Sequence, residues 1–214
     1  MGERGRRRAG GLEEVGGAQP AVFAMADTQR LVVLGSGHRI DEPGRKPPRF
    51  PPAKEKAVRD AIARQLEEWG VGAGDLALCG GANGADILLA EACRDRSARI
   101  LLLLPFPVER FIQESVAIPG TGWSRRFRTL VQESRCEVRV QETHLGPPSP
   151  GEDPFERNNH WILRTGLDEA APGKPLVLLV WDSRPGDGRG GTAGFHEAAA
   201  DLGLPAIVID PRTL

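Results

Sequence analysis

Three glycine-rich segments of the sequence carry polar side chains suited to holding a phosphorylated ligand. The first reads Gly35-Ser-Gly-His-Arg39, the second reads Gly80-Gly-Ala-Asn-Gly-Ala-Asp86, and the third contains Gly190, Gly191 and Thr192. Glycine lets the main chain approach a ligand without a Cβ in the way. N–H groups at the start of a helix carry partial positive charge and bind anions. The three segments therefore predict a binding site for an anionic small molecule.

The predicted ligand contacts come from these segments and from two nearby carboxylates. They are Gly35, Ser36, Gly37, Arg39, Gly80, Gly81, Asn83, Gly84, Asp86, Glu91, Asp182, Gly190, Gly191 and Thr192. Asp86 and Glu91 are expected to reach polar parts of the ligand. A structural interpretation stays open for the second segment, in which Gly80-Gly81 makes a tight turn and Asn83 caps the next helix. Thr192 likewise fits either a phosphate contact or a helix cap.

Each glycine-rich segment follows a short apolar run and precedes a stretch of helical periodicity. Strands are predicted at residues 31–35, 75–79, 99–104, 136–140, 177–181 and 206–209. Helices are predicted at residues 53–69, 84–96, 108–116, 123–134, 155–170 and 192–202, with a loop over 142–154. Because parallel strands need helical crossovers, this alternation predicts an α/β fold with a doubly wound, mostly parallel sheet and helices on both faces. Loops at 35–41, 80–86 and 182–192 then meet at the carboxyl edge of the sheet, where such folds bind ligands.

Composition excludes several other classes of function. The 214 residues are 40% hydrophobic and 27% charged with a net charge of −1, so no global field attracts nucleic acid or an anionic membrane. No apolar run approaches the ~20 residues of a membrane span. The chain lacks the GxxxxGK[ST] loop of P-loop NTPases, and no cofactor is indicated. His38 and Asp41 lack a third ligand for a metal.

The cysteines and the first residues bear on location and domain organisation. Cys79, Cys93 and Cys136 fit free thiols in a reducing compartment, which predicts a cytoplasmic protein. Residues 1–27 show no periodicity and are interpreted as a disordered or wrongly assigned extension, with Met25 as an alternative start. Residues 28–214 are expected to form a single domain. Heavy use of Arg, Ala, Gly and Pro is typical of a GC-rich genome and suggests a bacterial source.

The order of these motifs resembles the SLOG superfamily. The resemblance rests on Gly35-Ser-Gly37, Gly80-Gly81 with Gly84, Arg157-Asn-Asn-His-Trp161, and Gly190-Gly-Thr192 followed by Glu197. That superfamily contains the lonely-guy phosphoribohydrolases, the molybdenum-cofactor-carrier-like proteins and the Rossmann domain of DNA-processing protein A. The resemblance covers roughly residues 31–211 and implies a Rossmann-like fold that binds a nucleotide-derived ligand.

Lonely-guy proteins pair an Arg-Lys on a helix with a PGGxGTxxE loop, and the Arg and Glu serve cleavage of an N-glycosidic bond. The resemblance implies Arg157 and Glu197 for these catalytic roles. Two departures are evident: Asn158 stands where Lys is expected, and Glu197 follows Thr192 two residues later than the motif requires.

Two functions follow from these observations. The first is binding, with sensing as a further role, of a nucleotide or nucleotide-derived small molecule, whose phosphate would contact Arg39 or Arg157. The alternative is a lonely-guy-like phosphoribohydrolase that cleaves a nucleoside monophosphate. By analogy with related folds, two copies are expected to pair through helices beside the sheet.

Overall fold

The computed structural model describes residue 1, residues 30–185 and residues 188–214. The expectations for the N-terminal extension and for Met25 lie outside these described residues. Within the described ranges, six parallel strands form one sheet: β1 Val32–Gly37, β2 Leu76–Cys79, β3 Arg99–Leu104, β4 Cys136–Val140, β5 Leu176–Val180 and β6 Ala206–Ile209.

The strand order is β4-β3-β2-β1-β5-β6. Val33 pairs with Ala77 of β2 on one side and with Leu176 of β5 on the other. The chain therefore adds β2, β3 and β4 on one side of β1 and then crosses back to add β5 and β6 on the other side. The carboxyl ends of β1 and β5 form the topological switch point, where open α/β sheets bind ligands.

Helices cover both faces of the sheet, as the sequence predicts. They are α1 Glu55–Glu68, α2 Ala85–Asp95, α3 Val108–Phe111, α4 Trp123–Gln132, α5 Gln141–Leu145, α6 Pro154–Ala170 and α7 Thr192–Asp201. A 3₁₀ turn, Pro52–Lys54, precedes α1, and a π-helical turn, Ile112–Val116, extends α3. One core packs α1, α2 and α4 on one face, and a second core packs α6 and α7 on the other. The predicted α/β doubly wound fold is confirmed.

The predicted loop over residues 142–154 is partly wrong, because its first turn belongs to α5. The buried side chain of Gln141 starts this helix and donates to the Pro154 carbonyl at 2.8 Å and to Asn158 Oδ1 at 3.0 Å. Gly146 follows with a φ of +74° and ends it. A five-residue helix held by tertiary contacts leaves no periodicity in the sequence.

No helix in the described part of the chain combines the length and apolar character needed to cross a bilayer.

Close contact between α6 and the central strand depends on one glycine. A Cβ added to Gly166 would lie 2.4 Å from Leu34 Cδ2 and 3.0 Å from Leu34 Cγ, and Leu34 is fully buried. On the other face, a Cβ on Gly35 would lie 2.0 Å from Leu89 Cδ2 of α2. These two contacts fix the distances of α6 and α2 from β1, and both helices carry residues of the candidate site.

We expect Gly166→Ala to lower the free energy of unfolding by about 1–3 kcal/mol through overpacking against Leu34. The loss should appear although alanine favours a helix over glycine by up to about 1 kcal/mol. Urea denaturation measures it. Gly72→Ala is the matched control, because the nearest atom to its new Cβ lies 4.0 Å away. Equal stability of the two variants would contradict this account of α6 packing.

Candidate functional site

A cleft of about 790 Å³ opens at the carboxyl edge of the sheet, at the switch point between β1 and β5. Its walls come from the ends of β1 and β2, the first turn of α2, the loop after β1 and the start of α7. Nine of the predicted ligand contacts line it: Gly35, Ser36, Gly37, Arg39, Gly80, Asp86, Gly190, Gly191 and Thr192. The fold thus brings residues of all three glycine-rich segments to one cleft.

The loop after β1 forms one wall and is closed at its neck by Asp41. Asp41 Oδ2 accepts hydrogen bonds from the N–H groups of Arg49 at 2.9 Å and Phe50 at 3.0 Å. The Asp41 N–H donates to the Phe50 carbonyl at 2.9 Å. Residues 42–48 are exposed, and residues 42–45 line the cleft. Asp41 therefore has a structural role here.

Asp182 anchors the same loop to the end of β5. Its carboxylate accepts from Arg49 Nη2 at 2.7 Å and lies 2.9 Å from His38 Nε2. Burial alone would raise the pKa of Asp182, but the hydrogen bonds from Arg49 and His38 outweigh it and hold the pKa well below its ordinary value. Burial lowers the pKa of His38. Asp182 does not line the cleft and takes part in an internal ion pair, so its ligand contact stays a prediction.

Gly81 and Gly84 of the second segment face the protein rather than the cleft. Gly81 has a φ of +77°, and its Cβ would lie 3.1 Å from Phe127 Cε2 in the core. Gly84 has a φ of +85°, and its Cβ would lie 2.6 Å from the His38 carbonyl oxygen and from the Ile40 nitrogen. Neither residue lines the cleft. Their glycine requirement comes from the positive φ and from close packing.

Asn83 and Ala85 also serve the fold. Asn83 Oδ1 accepts from the Ile40 N–H, and Asn83 Nδ2 donates to the Val116 carbonyl, both at 3.1 Å. The Ala85 N–H donates to the His38 carbonyl at 3.1 Å. The helix begins after Gly84 without a side-chain cap, so Asn83 neither caps α2 nor lines the cleft. The start of α2 is thus largely occupied by the chain's own groups.

We expect Gly81→Val to reduce stability, with ligand affinity unchanged in the folded fraction. Valine at a positive φ costs on the order of 1–3 kcal/mol in strain, and its side chain also meets Phe127. Gly74→Val is the control: Gly74 has a φ of +96° with open space around it, so it isolates the backbone strain. Thermal melting separates the two contributions. If Gly81→Val melts at the same temperature as the wild type but binds the ligand more weakly, Gly81 contacts the ligand.

Asp86 is the predicted carboxylate that faces the cleft. It lies in the first turn of α2, is 8% exposed, and accepts from the Ala82 N–H through Oδ2 at 3.2 Å. Burial raises its pKa to about 7, while backbone N–H groups of Ala82, Gly80 and Gly81 act in the opposite direction. The side chain is therefore near half protonation at neutral pH and can either donate or accept a hydrogen bond.

Asp86 should make stability fall as the pH rises. The pKa of Asp86 in the folded state, about 7, exceeds its ordinary value of 3.8, so between about pH 4 and pH 7 the folded state binds the proton that the unfolded state has lost. This group then removes up to about 1.4 kcal/mol of stability per pH unit across that window. Asp86→Asn should abolish this component in denaturation curves at pH 5 and 7. Asp60→Asn, at an exposed site, should keep the fall in stability between these two pH values. If stability depends on pH equally in the wild type and both variants, Asp86 is not the group responsible.

Glu91 lies outside the cleft. Its carboxylate accepts from Arg126 Nε at 2.8 Å and Nη2 at 2.5 Å in an ion pair between α2 and α4. Arg126 also donates to Glu55 at 2.8 Å and stacks on Trp123 at 4.0 Å. Glu91 thus links α2 to α4 in this structure, and its ligand contact stays a prediction.

The pair of catalytic residues implied by the resemblance is not assembled around the cleft. Arg157 donates to the carbonyls of Leu145 and Gly146, both at 3.0 Å, and so ties α6 to the end of α5. Glu197 is exposed on α7. Neither lines the cleft. Asn158 does line it, and it donates to the Leu103 carbonyl at 2.7 Å.

The start of α7 forms the opposite end of the cleft from α2. Asn159 Nδ2 donates to the carbonyls of Gly190 at 3.1 Å and Gly191 at 3.4 Å, which turns these carbonyls toward α6. A Cβ on Gly190 would lie 2.4 Å from Phe155 Cβ. The N–H group and hydroxyl of Thr192 make no hydrogen bond within the described chain, and its side chain does not cap the helix. Thr192 thus presents two unused donors at a helix start.

Several cleft residues are absent from the sequence prediction. Apolar walls come from Ile40, Pro105, Phe111, Phe155 and Ile162, and polar ones from Asn158, Asn159 and Asp153. Asp153 caps α6 by accepting from the Phe155 and Glu156 N–H groups, both at 2.8 Å. The Asp153-Pro154 pair is a helix-start signal that local reasoning could have used. The apolar walls carry no such signal, since they look like ordinary core residues.

Sheet order and cleft position define a Rossmann-like α/β protein. No protein-family model matches the chain, and no curated protein matches it.

Similar solved structures include TM1055, a structural genomics target, with 18% identity, a TM-score of 0.43, and coverage of 82% of this chain and 72% of that one. DNA processing protein A from Streptococcus pneumoniae has 14% identity, a TM-score of 0.38 and coverage of 83% and 58%. The Moco carrier protein from Chlamydomonas reinhardtii has 14% identity, a TM-score of 0.32 and coverage of 86% and 91%. Similarity at this level carries nothing about ligand or activity.

Proposed function

We propose that the cleft binds a nucleotide or a nucleotide-derived small molecule, with its phosphate on the first turn of α7. The observation that carries the proposal is the convergence, in one cleft at the switch point, of unused donors on Thr192 with the small residues Gly35, Ser36 and Gly37. Helix starts with free N–H groups favour phosphate. The end of β1 lies at the switch point, where open α/β sheets bind ligands.

The dimensions of the cleft suit a ligand of this size. The start of α7 follows β5 and Asp86 follows β2, with β1 between them. Neighbouring strands lie about 4.8 Å apart, so the two ends of the site are separated by roughly 10 Å. A phosphate joined to a sugar, with a hydrogen bond from the sugar hydroxyls at the far end, extends over a similar length. The volume of about 790 Å³ lies within the usual range for small-molecule sites.

The walls also differ in character along the cleft. Phe111, Pro105 and Ile40 provide apolar surface, which suits the flat face of a base. Arg39 provides charge: its Nη1 donates to the Glu114 carbonyl at 3.3 Å, while its buried Nε has no partner in the described chain. A guanidinium placed in this way can add a charge-assisted contact to an anionic ligand.

A thermal-shift panel of mono-, di- and cyclic nucleotides tests the proposal. A ligand present at 100 times its Kd stabilises the native state by about 2.7 kcal/mol. We expect Thr192→Val to weaken the binding of the best ligand at least threefold, because valine keeps the shape but loses the hydroxyl donor. Thr213→Val, outside the cleft, is the control. No shift with any nucleotide at millimolar concentration would refute the proposal.

The phosphoribohydrolase alternative has less support, since Arg157 and Glu197 lie outside the cleft. Chromatography for free base after incubation with nucleoside monophosphates tests it directly. If base is released at an unchanged rate by Glu197→Gln, the activity belongs to other residues.

A further inference from the structure

Asp86 is a buried carboxyl without a basic partner among the residues that the structure describes. The charged and titratable side chains that share the cleft with it are His38, Arg39, Glu42, Arg45, Arg49, Glu114 and Asp153. Arg49 is paired with Asp182, Arg39 with Glu42 at 3.6 Å, and Arg45 with Asp41 at 3.5 Å. The thiol of Cys79, below it, donates to the Asp86 carbonyl at 3.6 Å. None of the basic groups contributes to the pKa of Asp86.

Folding alone gives no reason for a carboxyl at this position. The carboxyl accepts from the Ala82 N–H through Oδ2, and the Gly80 and Gly81 N–H groups also favour its ionised form. The amide oxygen of an asparagine of the same size could accept from these N–H groups without a charge. Ionisation of a buried carboxyl that lacks a cation destabilises the native state. Residues that weaken a fold in this way concentrate at functional sites.

The environment of Asp86 indicates what it would contact. With Oδ2 held by Ala82, Oδ1 has no side-chain partner in the described chain. Asn158 lies beside it across Gly80: a Cβ on that glycine would lie 3.1 Å from Asp86 Oδ2 and 3.7 Å from Asn158 Nδ2. One N–H of Asn158 Nδ2 goes to the Leu103 carbonyl, which leaves a second N–H. An acceptor and a donor thus lie side by side, as a pair of sugar hydroxyls requires.

The location along the cleft points to the sugar of the ligand. β2, which leads into the Asp86 segment, lies next to β1, and β1 lies next to β5, which leads to the proposed phosphate site. A sugar follows the phosphate in any nucleotide and would lie over the end of β1, within reach of Asp86.

We propose that Asp86 selects ligands with sugar hydroxyls by accepting a hydrogen bond at Oδ1, and that ligand binding removes its proton. The selection rests on the proposed function, because it requires the phosphate to lie at α7. A hydroxyl donates more strongly to a carboxylate than to a carboxylic acid, so the bound ligand favours the ionised form. The proton leaves to solvent.

Two consequences follow. Ribonucleotides should bind at least tenfold more tightly than their 2′,3′-dideoxy counterparts. Below the Asp86 pKa of about 7, affinity should rise with pH by up to tenfold per unit, and it should level off above that value.

Calorimetry with eight probes tests the selection: the four ribonucleoside 5′-monophosphates and the four matching 2′,3′-dideoxynucleotides. We expect the tenfold preference in the wild type and less than threefold in Asp86→Asn, whose neutral amide is a weaker acceptor. Asp60→Asn should behave as the wild type, because Asp60 lies outside the cleft and pairs with Lys56 at 2.6 Å.

Proton release is measured by titrating the tightest ribonucleotide at pH 6.5 in two buffers of different ionisation enthalpy. The ligand phosphate and His38 also titrate in this range, so the informative quantity is the difference between wild type and Asp86→Asn. We expect the wild type to release more protons than the variant.

The outcomes separate the two proposals. If none of the eight nucleotides binds, the proposed function fails. If ribo- and dideoxynucleotides bind the wild type equally, or if Asp86→Asn keeps both the preference and the proton release, the role of Asp86 is refuted while nucleotide binding stands.

Discussion

The buried contact of Asp182 with Arg49 and His38 holds the two sides of the switch point together. Asp182 lies two residues after β5, His38 follows β1 directly, and Arg49 closes the loop that forms one wall of the cleft. Without this ion pair, a buried carboxylate and a buried guanidinium would each lack a partner, and such unpaired charges are strongly destabilising. The ion pair thus fixes the position of the loop together with the buried side chains of Ile40 and Phe50 at its two ends.

Close contacts at two glycines position the other two walls of the cleft, which are formed by the starts of α2 and α7. Gly84 lets the start of α2 touch the main chain after His38, and Gly190 lets the loop before α7 touch the start of α6. The two helix starts differ in what they leave unused. At α2 the N–H groups of Ala82 and Ala85 go to Asp86 and to the His38 carbonyl, whereas Thr192 of α7 keeps its donors. The cleft is therefore asymmetric, with donors at one end and a carboxyl at the other.

The sequence predicts the fold well because strand and helix patterns are local. The apolar run at residues 99–104 and the alternating pattern at residues 136–140 match their strands, and the alternation of strands and helices gives the parallel sheet its crossovers. The candidate site is harder to predict from the sequence, because a polar side chain near the end of a strand can point into the cleft or toward the protein. Asp86 and Glu91 are five residues apart on one helix, and this spacing directs Asp86 to the cleft and Glu91 to Arg126. Arg157 and Asn158 are adjacent, yet Asn158 alone lines the cleft, since the carbonyls of Leu145 and Gly146 engage the arginine.

The neck at Asp41 has an evolutionary consequence. Because three hydrogen bonds between Asp41 and residues 49–50 close the loop at its base, the length and sequence of residues 42–48 can change without moving β1 or α1. Those residues form the rim of the cleft while contributing nothing buried to the core. Insertions, deletions and substitutions there would alter which molecules enter while the sheet stays intact. Descendants of one ancestral chain could in this way diverge in ligand preference through a single short segment.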